Sequence, residues 1–244
     1  MLSGLYSAAS GISAAEINQQ VVSRNLAHLD QPGYRREFVS FQTMENRFRG
    51  DGPWSNVPRL GADPVSITRD FSQGRGEHTG RSLDVAIHGD GFFVLQSPNG
   101  PLYTRNGVFN LTPEGDLVTN DGLRVEGTNG PISLPTDAPL QQLTIFADGT
   151  IVNGDREVAQ FQSVRFNDPQ VLQAIGPSTF AAPSDVVPQP AEVTFEQGER
   201  EMANASPTDE LVRMIVGLRH HEASQRALRT IAEAVQKHTD PRGA

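Results

Sequence analysis

Apolar residues recur at helical spacing at both ends of the chain and fall into short, punctuated runs through its middle. Over residues 2–29 one row spaced by seven holds Leu5, Ile12, Gln19 and Leu26, and a second holds Ala8, Ala15, Val22 and Leu29. These are the two rows of a heptad seam, so the spacing predicts a long helix with one polar interruption at Gln19. Gln31-Pro32-Gly33 predicts its end, because the residue before proline is pushed out of the helical region and glycine terminates helices. At the other end Ser206 is a good N-cap, Pro207 suits the first helical position, and Asp209 completes a capping-box-like pattern. From there a helix is predicted to about His238, ahead of Pro241. Its rows are Leu211, Leu218, Gln225, Ala232 and Met214, His221, Leu228, Val235, widened by Ile215 and Ile231.

A helix of about 28 residues is about 42 Å long. Such helices are marginal alone in water and draw most of their stability from packing. The narrow stripes predict that the two helices pair with each other and take further neighbours from other copies.

Between Leu83 and Val164 the pattern changes to short apolar runs: residues 91–95, Tyr103-Thr104, Val108-Phe109, Leu117-Val118 and residues 143–146. Asn99-Gly100, Asn106-Gly107, Asp121-Gly122, Asp148-Gly149 and Asn153-Gly154 separate them, and such dipeptides favour hairpin turns. This predicts a mainly β chain. A central all-β domain, a sandwich or partly closed barrel, is flanked by long N- and C-terminal helices that pair in a coiled-coil-like bundle. The expected division is an N-terminal helix over 1–33, an extended connector over 34–80, the β domain over 81–200 and a C-terminal helix over 201–244. Residues 46–80 and 176–200, rich in Gly, Pro and polar side chains, read as extended, with occasional strands such as Val193-Thr194-Phe195.

Composition narrows the partners. A formal net charge of −9 argues against nucleic acid and against an anionic membrane surface. The chain has no cysteine, which excludes disulfides and thiolate metal sites. No run approaches the roughly 20 apolar residues of a membrane span. Residues 1–20 lack the basic region and unbroken apolar core of a signal peptide, so export, if it occurs, is expected without cleavage.

Candidate chemistry is sparse. His220-His221-Glu222 has the wrong helical spacing for zinc, which favours positions i and i+4. Residues 74–80 carry three glycines without the spacing of a phosphate loop. Gly89-Asp90-Gly91 reads as a tight turn, Asp84 and Asp90 as turn or surface acids, and Arg35-Arg36 as an interface or solvated pair. No catalytic, cofactor-binding or metal residue is assigned, and no cofactor is expected.

Three blocks together resemble one family. The first is residues 5–12 with Ser23-Arg24-Asn25-Leu26-Ala27-His28 and residues 32–36. The second is Leu83-Asp84-Val85-Ala86-Ile87, residues 89–94 and residues 103–107. The third is residues 210–215 with Glu222-Ala223. In this order they are similar to the signatures of bacterial flagellar basal-body rod and hook proteins. Gly130-Pro131-Ile132 followed by residues 143–145 and 148–151 resembles the proximal-rod branch most, the distal-rod branch next and the hook third. His28, His221 and Ser224 stand where the family usually has Asn, an aromatic residue and Asn.

The resemblance implies a structural, non-enzymatic subunit of the basal-body rod in the periplasm. Its partners would be other copies of itself, other rod proteins and the flagellar type III export apparatus, with no membrane insertion. The implied assembly interface is Leu5, Ala8, Ile12, Ala15, Val22, Asn25, Leu26 and Leu29 with Leu211, Met214, Leu218, Leu228 and Val235. A secreted β-domain binding module or adhesin, and an enzyme with a cleft on the β domain, are the alternatives from other classes.

Overall fold

The structure is a computed structural model that describes residues 2–43, 62–135 and 142–239, with side chains over 8–40, 66–135 and 142–234. The part of the expected connector at residues 44–61 lies outside the described residues. Two helices, α1 (Leu2–Ala27) and α2 (Pro207–Thr239), stand at the two ends of a mainly β chain. The strands are β1 (Glu37–Thr43), β2 (Ala62–Arg69), β3 (Gly76–His78), β4 (Val85–His88), β5 (Phe92–Gln96), β6 (Leu102–Thr104), β7 (Phe109–Leu111), β8 (Leu117–Thr119), β9 (Arg124–Gly127) and β10 (Gly130–Pro131). They continue with β11 (Leu143–Ile145), β12 (Thr150–Asn153), β13 (Arg156–Gln160), β14 (Ser163–Arg165), β15 (Gln173–Ala174), β16 (Thr179–Ala181), β17 (Gln189–Pro190), β18 (Thr194–Gln197) and β19 (Glu199–Glu201).

The chain divides into two compact units. One comprises residues 1–27, 37–69 and 206–244, and the other residues 28–36 and 70–205. The first, helical unit holds α1, α2 and the antiparallel pair β1–β2, which lies inside the stretch read as a connector.

The β unit is built on a ten-stranded sheet whose main path runs β15-β16-β6-β5-β9-β8-β7 and does not close into a barrel. A three-stranded sheet β11-β12-β13 and the pairs β18–β4 and β19–β3 complete it. Strand β5 explains why this unit folds. Its sequence Phe92-Phe93-Val94-Leu95 is apolar on both faces, and all four residues are buried. Successive side chains of a strand point to opposite faces. Phe93 and Leu95 accordingly enter one apolar cluster with Val85, Ile87, Phe109, Leu117, Val125, Phe161 and Phe195. Phe92 and Val94 enter a second with Tyr103, Val164, Phe166, Leu172 and Phe180. Aromatic edges lock both: Phe93 meets Phe109 at 5.1 Å and 88°, and Tyr103 meets Phe166 at 4.9 Å and 83°.

Four of the five turn dipeptides form the reversals predicted for them, each with its glycine at positive φ: Gly100, Gly122, Gly149 and Gly154. Asn106-Gly107 does not. It joins β6 to β7, which do not pair, and Gly107 keeps an ordinary φ. Its need for glycine is steric, since a Cβ there would sit 1.7 Å from the Val85 carbonyl oxygen.

One buried charge cluster fastens the ends of the β unit. Glu201 accepts hydrogen bonds from Arg35 Nη2 at 2.7 Å, from the Gly74 amide at 2.7 Å and from Arg105 Nη1 at 3.4 Å. Arg35 and Glu201 are 0% and 1% exposed, so Arg35 is not the solvated or interface residue expected of it. Burial lowers the Arg105 guanidinium to about 10 against the opposing pull of Glu201, so it stays charged at neutral pH. Asn204 continues the clasp, accepting from the Arg36 amide and donating to the Asp70 and Ser72 carbonyls.

Glu201→Gln leaves two buried guanidinia without their counter-charge. Removing one partner of a buried ion pair costs about 3–5 kcal/mol. The variant is expected to lose that much in denaturant unfolding followed by near-ultraviolet circular dichroism; a loss below about 1 kcal/mol would remove the clasp from the account.

Candidate assembly interface

The helical unit starts from local signals. α2 opens as its sequence predicts, with the Asp209 amide donating to Ser206 Oγ at 3.4 Å, the Glu210 amide donating to the Ser206 carbonyl at 3.0 Å, and Pro207 in the first turn. Acidic Asp209 and Glu210 in that turn suit the positive end of the helix dipole. α1 stops at Ala27, and a turn closed by Gln31 N–H to the His28 carbonyl follows. Leu29, expected in the seam, therefore falls beyond the helix. No helix among the described residues is long and apolar enough to cross a membrane.

The two helices run antiparallel in one register. Asn25 Nδ2 donates to Glu210 Oε2 at 3.2 Å, a Cβ on Gly217 would meet Asn18 and Gln19, and a Cβ on Gly11 would meet Ser224 Oγ at 3.3 Å. Each contact lies seven residues from the last on both helices, so the periodicity is that of a heptad. The facing row is shifted by one position from the expected seam on α1, where Gln19 is the seam residue that still meets Gly217. On α1 it is Gly11, Ala14, Asn18, Val21 and Asn25; Ala14, Val21 and Asn25 are buried. On α2 Glu210 and Gly217 are buried and His221 and Ser224 half-buried. Small and polar groups let the helices approach, and the large apolar residues stand aside.

The interface residues named from sequence divide accordingly. Val22 and Asn25 are buried; Ala8, Ile12, Ala15, Leu26, Leu29, Met214 and Leu228 are half-buried. Leu211 and Leu218 are 52% and 49% exposed. The side chains of Leu5 and Val235 lie outside the described residues. Val212, Ile215 and Val216, also about half exposed, join Leu211 and Leu218. Residues 211–218 of α2 thus carry apolar side chains on nearly every side, the composition of a helix surrounded by other helices. Sequence reasoning missed Gly11, Asn18, Glu210 and Gly217, for which the seven-residue spacing of small and polar positions was the available signal.

Asn25 also fixes α1 to β1. Its Nδ2 donates to the Glu37 carbonyl at 2.8 Å and its Oδ1 accepts from the Glu37 amide at 2.9 Å, as a neighbouring strand would. The Glu37 carboxylate is held by Arg24 at 3.2 Å and by Arg69.

Other candidate chemistry resolves into structure. His220 and His221 line different grooves of the helix pair. Asp84 is buried and accepts from Thr79 Oγ1 at 2.8 Å and Arg81 Nη1 at 3.2 Å. Residues 76–78 of the glycine-rich segment are β3. In the β unit His88 Nε2 lies 2.9 Å from Glu196 Oε2 and 3.7 Å from Glu199 Oε1. Gln73 Nε2 lies 2.9 Å from His88 Nδ1, and Gln73 is itself oriented by the Ile87 carbonyl and the Gly89 amide. With the Gln73 amide oriented by those two backbone groups, Nδ1 is an acceptor and the ring proton sits on Nε2, facing the carboxylate. A metal would need the Nε2 lone pair, so the trio suits a hydrogen-bonded surface cluster.

Asn25→Ala strands the Glu37 amide and carbonyl on β1, at about 1–3 kcal/mol for each group left unsatisfied, and removes the Asn25 donor from Glu210. Hydrogen exchange should quicken in both α1 and α2. Asn25→Asp, which sets a second carboxylate beside Glu210, should quicken it further. Unchanged protection in both variants would refute the register.

Relatives are found along nearly the whole chain. The flagellar basal-body rod protein FlgG of Bacillus subtilis (strain 168) is 31% identical over 260 residues, covering 97% of this chain and 98% of that protein. FlgG of Agrobacterium fabrum (strain C58 / ATCC 33970) is 30% identical, covering 93% and 94%. The flagellar basal-body rod protein FlgF of Caulobacter vibrioides (strain ATCC 19089 / CIP 103742 / CB 15) is 29% identical, covering 87% and 86%. Residues 86–153, from within β4 to the end of β12, match the family described as the flagellar hook protein FlgE/F/G D1 domain. These relatives are structural rod proteins, not enzymes. With an apolar helix segment unmatched inside the helical unit and rod proteins as full-length relatives, the chain belongs to the flagellar basal-body rod protein family.

Proposed function

We propose that this chain is a structural subunit of the flagellar basal-body rod that polymerises through its terminal helices to transmit torque in motility. The observation that carries the reading is the exposure of Leu211, Val212, Ile215, Val216 and Leu218 within eight residues of α2. Contiguous exposed apolar surface marks an interaction site. Burying a single such side chain is worth about 1.5–3 kcal/mol. The heptad spacing of the α1–α2 contacts supports a coiled-coil-like pair as the building block, to which neighbouring copies add.

The interface residues named from sequence are part of this proposal. Val22 and Asn25 support the pair from within, while Ile12, Ala15, Leu211 and Leu218 face neighbours. The partners are other copies and other rod proteins. Passage through the flagellar export apparatus and residence in the basal body follow from the same reading. The proximal-rod, FlgF-type placement read from Gly130-Pro131-Ile132 is not favoured over the FlgG type, because relatives of both types share 29–31% of their residues with this chain.

Leu218→Asp puts a charge on the unmatched face while leaving the β unit untouched. In a strain whose only copy carries this change, swimming in soft agar should be lost while the protein is still made and its β unit unfolds at the parent's denaturant midpoint. Full motility from that strain would contradict the proposal.

A further inference from the structure

Gly217 faces α1, and Val216 and Leu218 stand on either side of it, about 200° apart around α2. Each flank of the helix pair therefore has its own character. On one, a groove is lined by Ala15, Glu16, Gln19 and Gln20 of α1 with Leu218 and His221 of α2. Its floor is small, at Ala15 and Gly217, and its rim carries the Glu16 carboxylate, whose side chain is 60% exposed and 3.8 Å from His221 Nε2. On the other flank Val216 edges a second groove, floored by Gly11, Ala14 and Gly217, and outside it Val212, Val216 and Arg219 form an exposed row at positions i, i+4 and i+7, two branched apolar side chains ending in a guanidinium.

The exposed row of the second flank and the groove of the first are opposite in charge, Arg219 against Glu16. We propose that the Val212–Val216–Arg219 ridge of one copy seats in the Ala15–Gln19–Leu218 groove of a second copy, with Arg219 against Glu16. This inference rests on the rod reading above and names the surfaces through which it works. The charges set the register. If the ridge lies antiparallel to the neighbour's α1 with Arg219 opposite Glu16, Val216 falls opposite Gln19, itself a lining residue. Burial of the valines supplies the affinity; an exposed ion pair adds little energy but selects partner and orientation.

Ridge and groove are different surfaces of the same copy, so the contact is heterologous. Each copy offers one of each, and association proceeds from copy to copy instead of ending at a two-fold dimer. That is the symmetry a rod wall requires.

The chain has no cysteine, so single-cysteine variants report cleanly. Full-length Gln19→Cys and Val216→Cys, both checked for the parent's circular dichroism, are mixed in equal amounts and treated with a short bismaleimide. A cross-linked mixed dimer is expected at roughly ten times the yield of either variant alone. Adding Arg219→Glu to the Val216→Cys chain should cut that yield, and adding Glu16→Arg to the Gln19→Cys partner should restore it. Equal yields from each variant alone would overturn the proposal, because like flanks would then be meeting. Self-association by light scattering without the mixed product would overturn the ridge-and-groove pairing and leave the rod reading standing. A chain that stays monomeric at every concentration would overturn both.

Discussion

The helix pair closes on small and polar side chains. Gly11, Ala14, Asn18 and Gly217 let the backbones approach, and Asn25 with Glu210 anchors the register. Everything else about the helical unit follows from that choice. Because the facing rows are small, the large apolar residues of α2 cannot be covered by α1 alone, and Leu211, Val212, Ile215, Val216 and Leu218 remain about half exposed. A helix with apolar side chains on nearly every side is stable in water only when other helices surround it. The same contact leaves those residues uncovered, and the proposed packing against other copies would cover them.

The β unit meets its constraints internally. Strand β5 is apolar on both faces and supplies side chains to two separate clusters. The buried Arg35–Glu201–Arg105 cluster joins segments that are far apart in sequence, beside the points where the chain enters and leaves this unit. Buried ions contribute little net stability compared with apolar packing, but they penalise any arrangement that separates them.

Much of this was legible in the sequence, and the misses have physical causes. The strands at 92–96 and 117–119 are readable because Gly-containing turns bracket them, and the strand at 143–145 because Asp148-Gly149 follows it. Asn106-Gly107 was misread because a glycine required by positive φ and one required by close packing look the same in a sequence. The α1–α2 contacts recur every seven residues, yet the facing row lies one position away from the apolar seam on α1 and, for one row, on α2. Seam reading assumes that the largest apolar rows meet inside the chain; here Ile12, Leu211 and Leu218 stand aside, and glycine, alanine and asparagine meet instead. Arg35 carried no local sign of burial, since its partner Glu201 is 166 residues away. The strands β1 and β2 pair across a long intervening stretch, where local pattern has little reach. The family resemblance supplied the function, which no periodicity contains.

The central claim is that this chain is built into the rod. The most direct measurement is mass spectrometry of hook–basal bodies purified from the source bacterium and from a strain lacking this chain. The chain is expected in the detergent-resistant particle in several copies, and its removal is expected to leave particles without a complete rod. A complete rod and hook in the deletion strain, with the chain absent from the wild-type particle, would contradict it.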